Sequence, residues 1–264
     1  MFKILSIETE EEKEYKSHKE PTPLSGTEAF SFGMEVRWPV SLVLNHKAVA
    51  CYQMIFRHLF YCKHVERLLC RVWLYNKVVK RFSEARLYAD AFALRQRMLS
   101  CVQHLQYYMC VEVLEPSWCH LVQSLDKVNN VDEVLERHND FLESCLRDCM
   151  LTSPQLLKAV TTLCLVCVQF CTFMQGENGT VSSTSSSADS FARSVSRYGL
   201  RFTAALLSVL AIIERMARDN NTNKLLNISA RLHFNTYYAK QLEMFCNDEK
   251  LLESDKKSGK ESSS

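Results

Sequence analysis

Cys164, Cys167 and Cys171 come closest to chemistry in this sequence, because thiolates three and four residues apart on one helix face can share a soft metal ion such as zinc. A structural zinc site pairs such a cluster with a second pair of ligands, and none is spaced to help here. The neighbours Leu163, Leu165, Val166, Val168 and Phe170 make the stretch a core helix, in which cysteine serves as a small apolar residue. His58, Cys62 and His64 do not converge either, since Cys62 and His64 point apart on a helix and the two histidines stand six residues apart. His138 shares an apolar row with Val134, Phe141, Cys145 and Cys149, and reads as a hydrogen-bonded interior side chain rather than a general base. The glycines form neither Gly-x-Gly-x-x-Gly nor Gly-x-x-x-x-Gly-Lys, and there is no Gly-x-Ser-x-Gly elbow. No catalytic residue, cofactor or metal is therefore expected, and the chain is not expected to be an enzyme. A metal-binding protein built on the cysteines remains a third reading, which stoichiometric zinc in purified protein would promote.

These residues need elements to hold them. Hydrophobic residues make up 47% of the 264 and charged residues 23%, enough to bury the core of one large domain or two small ones. Six glycines and five prolines leave room for few tight turns, so the helices must be long. The fold class expected is all-α, an irregular bundle of long helices with at most one or two short strands near residues 32–38. Twelve cysteines without a visible secretory signal are expected to stay reduced. Ala159 to Met174 is apolar but falls short of the ~20 residues of a membrane span. It reads as a buried helix, and no membrane insertion is expected.

Residues 1–27 pass from an apolar start, Phe2 to Ile7, into a run of glutamates, and read as a partly disordered linker. The domain proper is expected over 28–247. It opens extended, with Met34, Val36 and Trp38 alternating with Glu35 and Arg37 before Pro39. A helix follows whose inner face holds Val49, Tyr52, Phe56, Leu59, Val65, Leu68, Leu69, Val72 and Trp73, and whose outer face is basic through Lys47, Arg57, Lys63, Arg67 and Arg71. A second long helix carries Ala91, Leu94, Met98, Cys101, Leu105, Tyr108 and Glu112, and Pro116 ends or kinks it. Asn130 with Glu133, and Ser153 before Pro154, start two more. A flexible Ser-rich insertion is expected over 176–189. After it Phe191, Val195, Tyr198, Phe202, Ala205, Val209, Ile212 and Met216 trace one face, beside a basic ridge of Arg193, Arg197 and Arg201. Residues 248–264 read as a disordered tail. The net charge of +2 is unevenly placed, with an acidic middle from Glu112 to Asp148 that would repel a phosphate backbone, so nucleic acid is not an expected partner.

Phe56-Arg57-His58-Leu59-Phe60-Tyr61-Cys62-Lys63-His64-Val65-Glu66-Arg67, preceded by Trp38-Pro39, resembles the carboxy-terminal part of the gamma-tubulin complex proteins. The likeness continues at Phe92 to Leu99, Gln106 to Met109, Glu112 to Trp118, Asp148 to Thr152 and Arg231 to Asn235, and so covers nearly the whole chain. It implies a helical domain that holds one gamma-tubulin in a microtubule-nucleating complex, in the cytoplasm and cytoskeleton at a microtubule organizing center such as the centrosome or spindle pole. It also implies that the amino-terminal domain, which packs side by side with other gamma-tubulin complex proteins, is missing from this sequence together with the opening helices of its own domain. Those other proteins are then weakened partners. Interfaces concentrate their energy in a few arginine and aromatic side chains. Among residues following the family pattern, the partner-binding candidates are Arg95 and Arg97 on one helix and Arg231, Phe234, Asn235, Tyr237 and Tyr238 near the end. His233 stands where the family usually carries Asp. The competing reading is a helical adaptor that binds a different protein and no longer engages gamma-tubulin.

Overall fold

The computed structural model describes Gly26 and residues 30–76, 85–176, 185–220 and 225–232. Gly26 apart, the linker expected over 1–27 lies outside them, as do residues 177–184 of the Ser-rich insertion, the tail over 248–264, and Phe234, Asn235, Tyr237 and Tyr238. The described chain is largely helical: a 3-10 turn (Val40–Leu42), α1 (His46–Asn76), α2 (Ala85–Tyr107), a π-helical run (Tyr108–Leu114), α3 (Glu115–Leu125), α4 (Val131–Asp148), α5 (Pro154–Gly176), α6 (Ser185–Asn220) and α7 (Leu226–Leu232). Residues 31–37 carry no regular secondary structure, and among the described residues no strand pairs with them, which agrees with the expectation of at most one or two short strands near 32–38. Two compact units result, Met1–His64 with Met109–Leu151 and Val65–Tyr108 with Thr152–Ser264.

In the first unit α3 packs on α4. Trp118 meets Phe141 edge to face at 6.0 Å, an arrangement that suits the ring quadrupoles. Asn130 begins α4 as its spacing predicts: its Oδ1 accepts from the Glu133 N–H at 2.8 Å, and its Nδ2 donates to Glu133 Oε1. The far end of α4 is closed by a Schellman motif, with Leu151 N–H donating to Leu146 C=O and Met150 N–H to Arg147 C=O. Met150 sits at φ 65°, a left-handed position that usually goes to glycine. Its side chain is buried, and that decides the balance. Relief of the backbone by Met150→Gly gains ~1 kcal/mol, whereas loss of a buried methionine costs ~2–5 kcal/mol. Met150→Gly is expected to lower the denaturation midpoint; a more stable variant would mean that the turn, not the burial, dominates.

In the second unit α5 packs along α6, and α2, α6 and α7 contact one another. Ser153 and Pro154 open α5 as expected, with Leu156 N–H donating to Ser153 Oγ. By length and apolarity α5 is the one helix among the described residues that could cross a membrane. Yet Leu156, Leu157, Val160, Leu163, Val166, Phe170 and Met174 are buried in the fold, as a core helix requires. The inner row of α6 drifts from the expected one. Phe191, Val195, Phe202 and Val209 are buried, but beyond Phe202 the deepest positions also include Leu206, Leu210 and Ile213, while Ala205, Ile212 and Met216 are half-buried. The expected row advances by 3.5 residues per turn and a straight helix by 3.6, a mismatch of ~20° per heptad that carries the face onward. Residues 185–189, expected inside the flexible insertion, already belong to α6, where serines suit a helix start.

The second long helix also ends differently from its expected form. It widens into the π run at Tyr108, just ahead of Pro116. Proline has no N–H to give the carbonyl four residues back, and a change of hydrogen-bond spacing is one way for a helix to approach such a residue.

Candidate functional site

Arg95 and Arg97 are two positions apart on α2, so they project ~200° apart around its axis. Each meets a different helix of the second unit. Arg95 Nη1 donates to the Leu69 carbonyl of α1 at 3.2 Å, and its guanidinium lies 5.4 Å from the Trp73 ring centroid. Arg97 Nη2 donates to Thr203 Oγ1 of α6 at 3.1 Å, with the Phe202 ring 5.9 Å away. Both are half-buried. The fold therefore does not gather these two arginines on one open face.

Arg231 is placed otherwise. Ile228, Ser229 and Leu232 bury one side of α7, and Arg231 lies half-buried with its guanidinium 4.5 Å from the ring centroid of Tyr107. Tyr107 itself is exposed, on the last turn of α2. An arginine stacked on an exposed tyrosine is a surface feature of the kind that anchors protein interfaces. Sequence reasoning named Arg231 but not Tyr107, because nothing in local spacing links positions so far apart in the chain. Of the α6 ridge, Arg193 is tied to the Asp189 carbonyl and Arg201 to Gln169 Oε1, and all three arginines are exposed.

The residues that first suggested chemistry are packed as core. Cys164, Cys167 and Cys171 are buried on α5 among leucine, valine and phenylalanine. Burial pushes the Cys171 thiol up to about 12, although the nearby Arg95 charge acts the other way. Among the described residues no three His, Cys, Asp or Glu side chains are arranged to hold a metal ion. His138 shares a hydrogen bond with Tyr52 Oη at 2.9 Å through Nε2, and burial lowers its pKa and raises that of Tyr52. His58 is 2% exposed, with its Nε2 meeting no hydrogen-bond partner among the described residues. Of the basic side chains of α1, Lys47, Lys63, Arg67 and Arg71 are exposed and Arg57 is half-buried. Among the described residues this arrangement brings no nucleophile against a base and forms no anion cradle. What it offers are surfaces.

The description of the family Gamma tubulin complex component C-terminal fits residues 2–238. Over 254 residues the chain is 41% identical to a Gamma-tubulin complex component 2 homolog of Drosophila melanogaster, covering 84% of this chain and 30% of the relative. It is 39% identical to Gamma-tubulin complex component 2 of Mus musculus, over 92% of this chain and 32% of that protein. Spindle pole body component alp4 of Schizosaccharomyces pombe is 34% identical over 57% of this chain and 20% of its own length. The chain thus spans about a third of the first two relatives.

Proposed function

Since the chain belongs to the gamma-tubulin complex component family through its C-terminal domain, we propose that it is the gamma-tubulin-binding part of a microtubule-nucleating complex. In this reading it is a scaffold and not an enzyme. Its partners are gamma-tubulin and other complex proteins, and its place is the cytoskeleton at a microtubule organizing center. The observation that carries the proposal is the family match over residues 2–238, which runs through both helical units.

The contact is proposed at the Arg231 end of the second unit, with Arg231 and the following Phe234, Asn235, Tyr237 and Tyr238 as its anchors. Tyr107 joins them as the ring on which Arg231 rests. Arg95 and Arg97 remain in the proposal as second candidates on α2, where they also tie it to Leu69 of α1 and Thr203 of α6.

Capture of gamma-tubulin from cell extract by the purified chain tests this reading. Arg231→Ala and Tyr238→Ala are each expected to weaken capture by about 1–3 kcal/mol, the range for an interface anchor. For Arg231→Ala the loss of the stacking on Tyr107 costs only ~0.5–1 kcal/mol of stability at an exposed site, so the melting temperature should barely move while binding falls. A chain that folds with native helicity and captures no gamma-tubulin would instead support the helical adaptor. Unchanged capture by both variants would move the contact elsewhere, first to Arg193, Arg197 and Arg201.

A further inference from the structure

Residues 30–36 alternate in the manner of a half-buried strand, with Phe30, Phe32, Met34 and Val36 on one side and Ser31, Gly33 and Glu35 on the other. That face is not covered. Phe32 is 66% exposed, Met34 60% and the following Trp38 79%. Beside them lies a groove of about 190 Å³, lined by Phe32, Met34, Leu44, Val49, Tyr52 and Phe56 and almost wholly apolar. Its aromatic wall is ordered: Phe32 meets Phe56 edge to face at 4.9 Å, and Phe30 packs on Phe60 at 5.3 Å. The backbone beside it is open as well. No ladder pairs with 31–37 among the described residues, although Gln53 Nε2 donates to the Phe32 carbonyl. Backbone outside any helix or ladder beside an apolar groove leaves its N–H and C=O groups free to pair with a second segment, and a contiguous exposed apolar patch calls for a partner in a way that a lone exposed leucine does not.

The charge around the groove narrows the occupant. Arg37, Lys47 and Arg57 lie within three residues of its lining residues in sequence, where Glu35 is the one acid, while Glu143 of α4 acts on Cys51 beside Tyr52; the balance is basic, so an apolar segment followed by acids would fit. This chain carries one. Phe2, Ile4, Leu5 and Ile7 fall within six residues and lead into Glu8, Glu10, Glu11 and Glu12. The family description fits from residue 2, so these positions are matched as part of the domain. From Glu8 to Ala29 the intervening chain can reach ~70 Å at ~3.3 Å per residue, far more than the distance across the unit requires. We propose that residues 2–7 of the same chain occupy the groove alongside residues 30–36, with the Glu8–Glu12 run set against Arg37 and Lys47.

The full 264-residue chain carrying the photo-crosslinking residue benzoylphenylalanine in place of Leu5 tests this. Irradiation and peptide mapping should join position 5 to the peptides holding Phe32, Met34, Tyr52 or Phe56, within one chain when isotopically labelled and unlabelled protein are mixed. Ile4→Asp with Ile7→Asp should abolish that product. Because an apolar-to-charge change can act through folding, a second variant alters only charge: Glu10→Lys, Glu11→Lys and Glu12→Lys together should lower the yield severalfold, and adding Arg37→Glu and Lys47→Glu should restore it. Products joining two chains would show that a second copy fills the groove, and products at other peptides that residues 2–7 lie elsewhere. Either result overturns the proposal, as does a yield unmoved by charge reversal.

Discussion

Truncating Phe202 to alanine is expected to destabilise the second unit by about 3–5 kcal/mol, the cost of removing a large ring from a packed interior. Phe202 has no exposed surface and sits midway along α6, the helix that contacts α5, α2 and α7. It also lies 5.9 Å beneath the Arg97 guanidinium, which donates as well to the hydroxyl of the adjacent Thr203. Removing the ring therefore opens a cavity and takes away one of the groups that hold Arg97 in place. Folded domains are stable by only ~5–15 kcal/mol, so this one change should use up a large part of the margin. Urea denaturation followed by circular dichroism measures it, with Phe202→Leu as the control that keeps most of the volume and costs under about 1.5 kcal/mol. A loss below ~1 kcal/mol for the alanine variant would mean that the α2–α6 contact is not tightly packed around this ring.

Acid is expected to weaken the fold through His58, and His58→Leu to remove most of that weakness. Burial lowers the His58 pKa to about 4, against ~6.5 in an unfolded chain. Between those values the unfolded state binds the proton and the folded state does not, so stability rises with pH across the window and is lost as pH falls from ~6.5 towards ~4. Above ~6.5 the imidazole is neutral in both states and the group has no effect of this kind. The full difference is about 3 kcal/mol. His138 acts with the same sign, since burial lowers its pKa as well. In the leucine variant a buried nitrogen without a partner is replaced by an apolar group of similar size, which is near neutral or stabilising at pH 7. Denaturation midpoints of both proteins from pH 7.5 to pH 4 should diverge as the pH drops. Parallel curves would assign the acid sensitivity to other groups.

Much of the fold could be read from local rules, because helices obey local rules. Asn130 and Glu133 at capping spacing, Pro154 after Ser153, and the inward row of α1 with Val65, Leu69 and Val72 all act within a few residues of one another. The candidate site was legible only in part. Arg95 and Arg97 were grouped because they share a short segment, yet the helix turns them toward Leu69 and Thr203, and no local pattern says which helix lies on which side. Arg231 and Tyr107 come together because α7 folds against α2, a long-range pairing that spacing cannot report. Trp38 ends a stretch whose alternating apolar side chains read as extended. It is exposed, since a strand pattern buries a face only where something lies against it.

The π-helical run from Tyr108 to Leu114 gives the chain slack in length. A run of i to i+5 hydrogen bonds holds more residues per turn than an α-helix, so the surplus is taken up on the spot and not passed along the axis. Elsewhere in a helix the loss of one residue turns everything beyond it by ~100° relative to what precedes it. Within this run the loss of one residue can be met by a return to α-helical bonding. A gap of a single position is the change in chain length that this helix is built to absorb, and the stretch between Tyr108 and Pro116 is where it would fall.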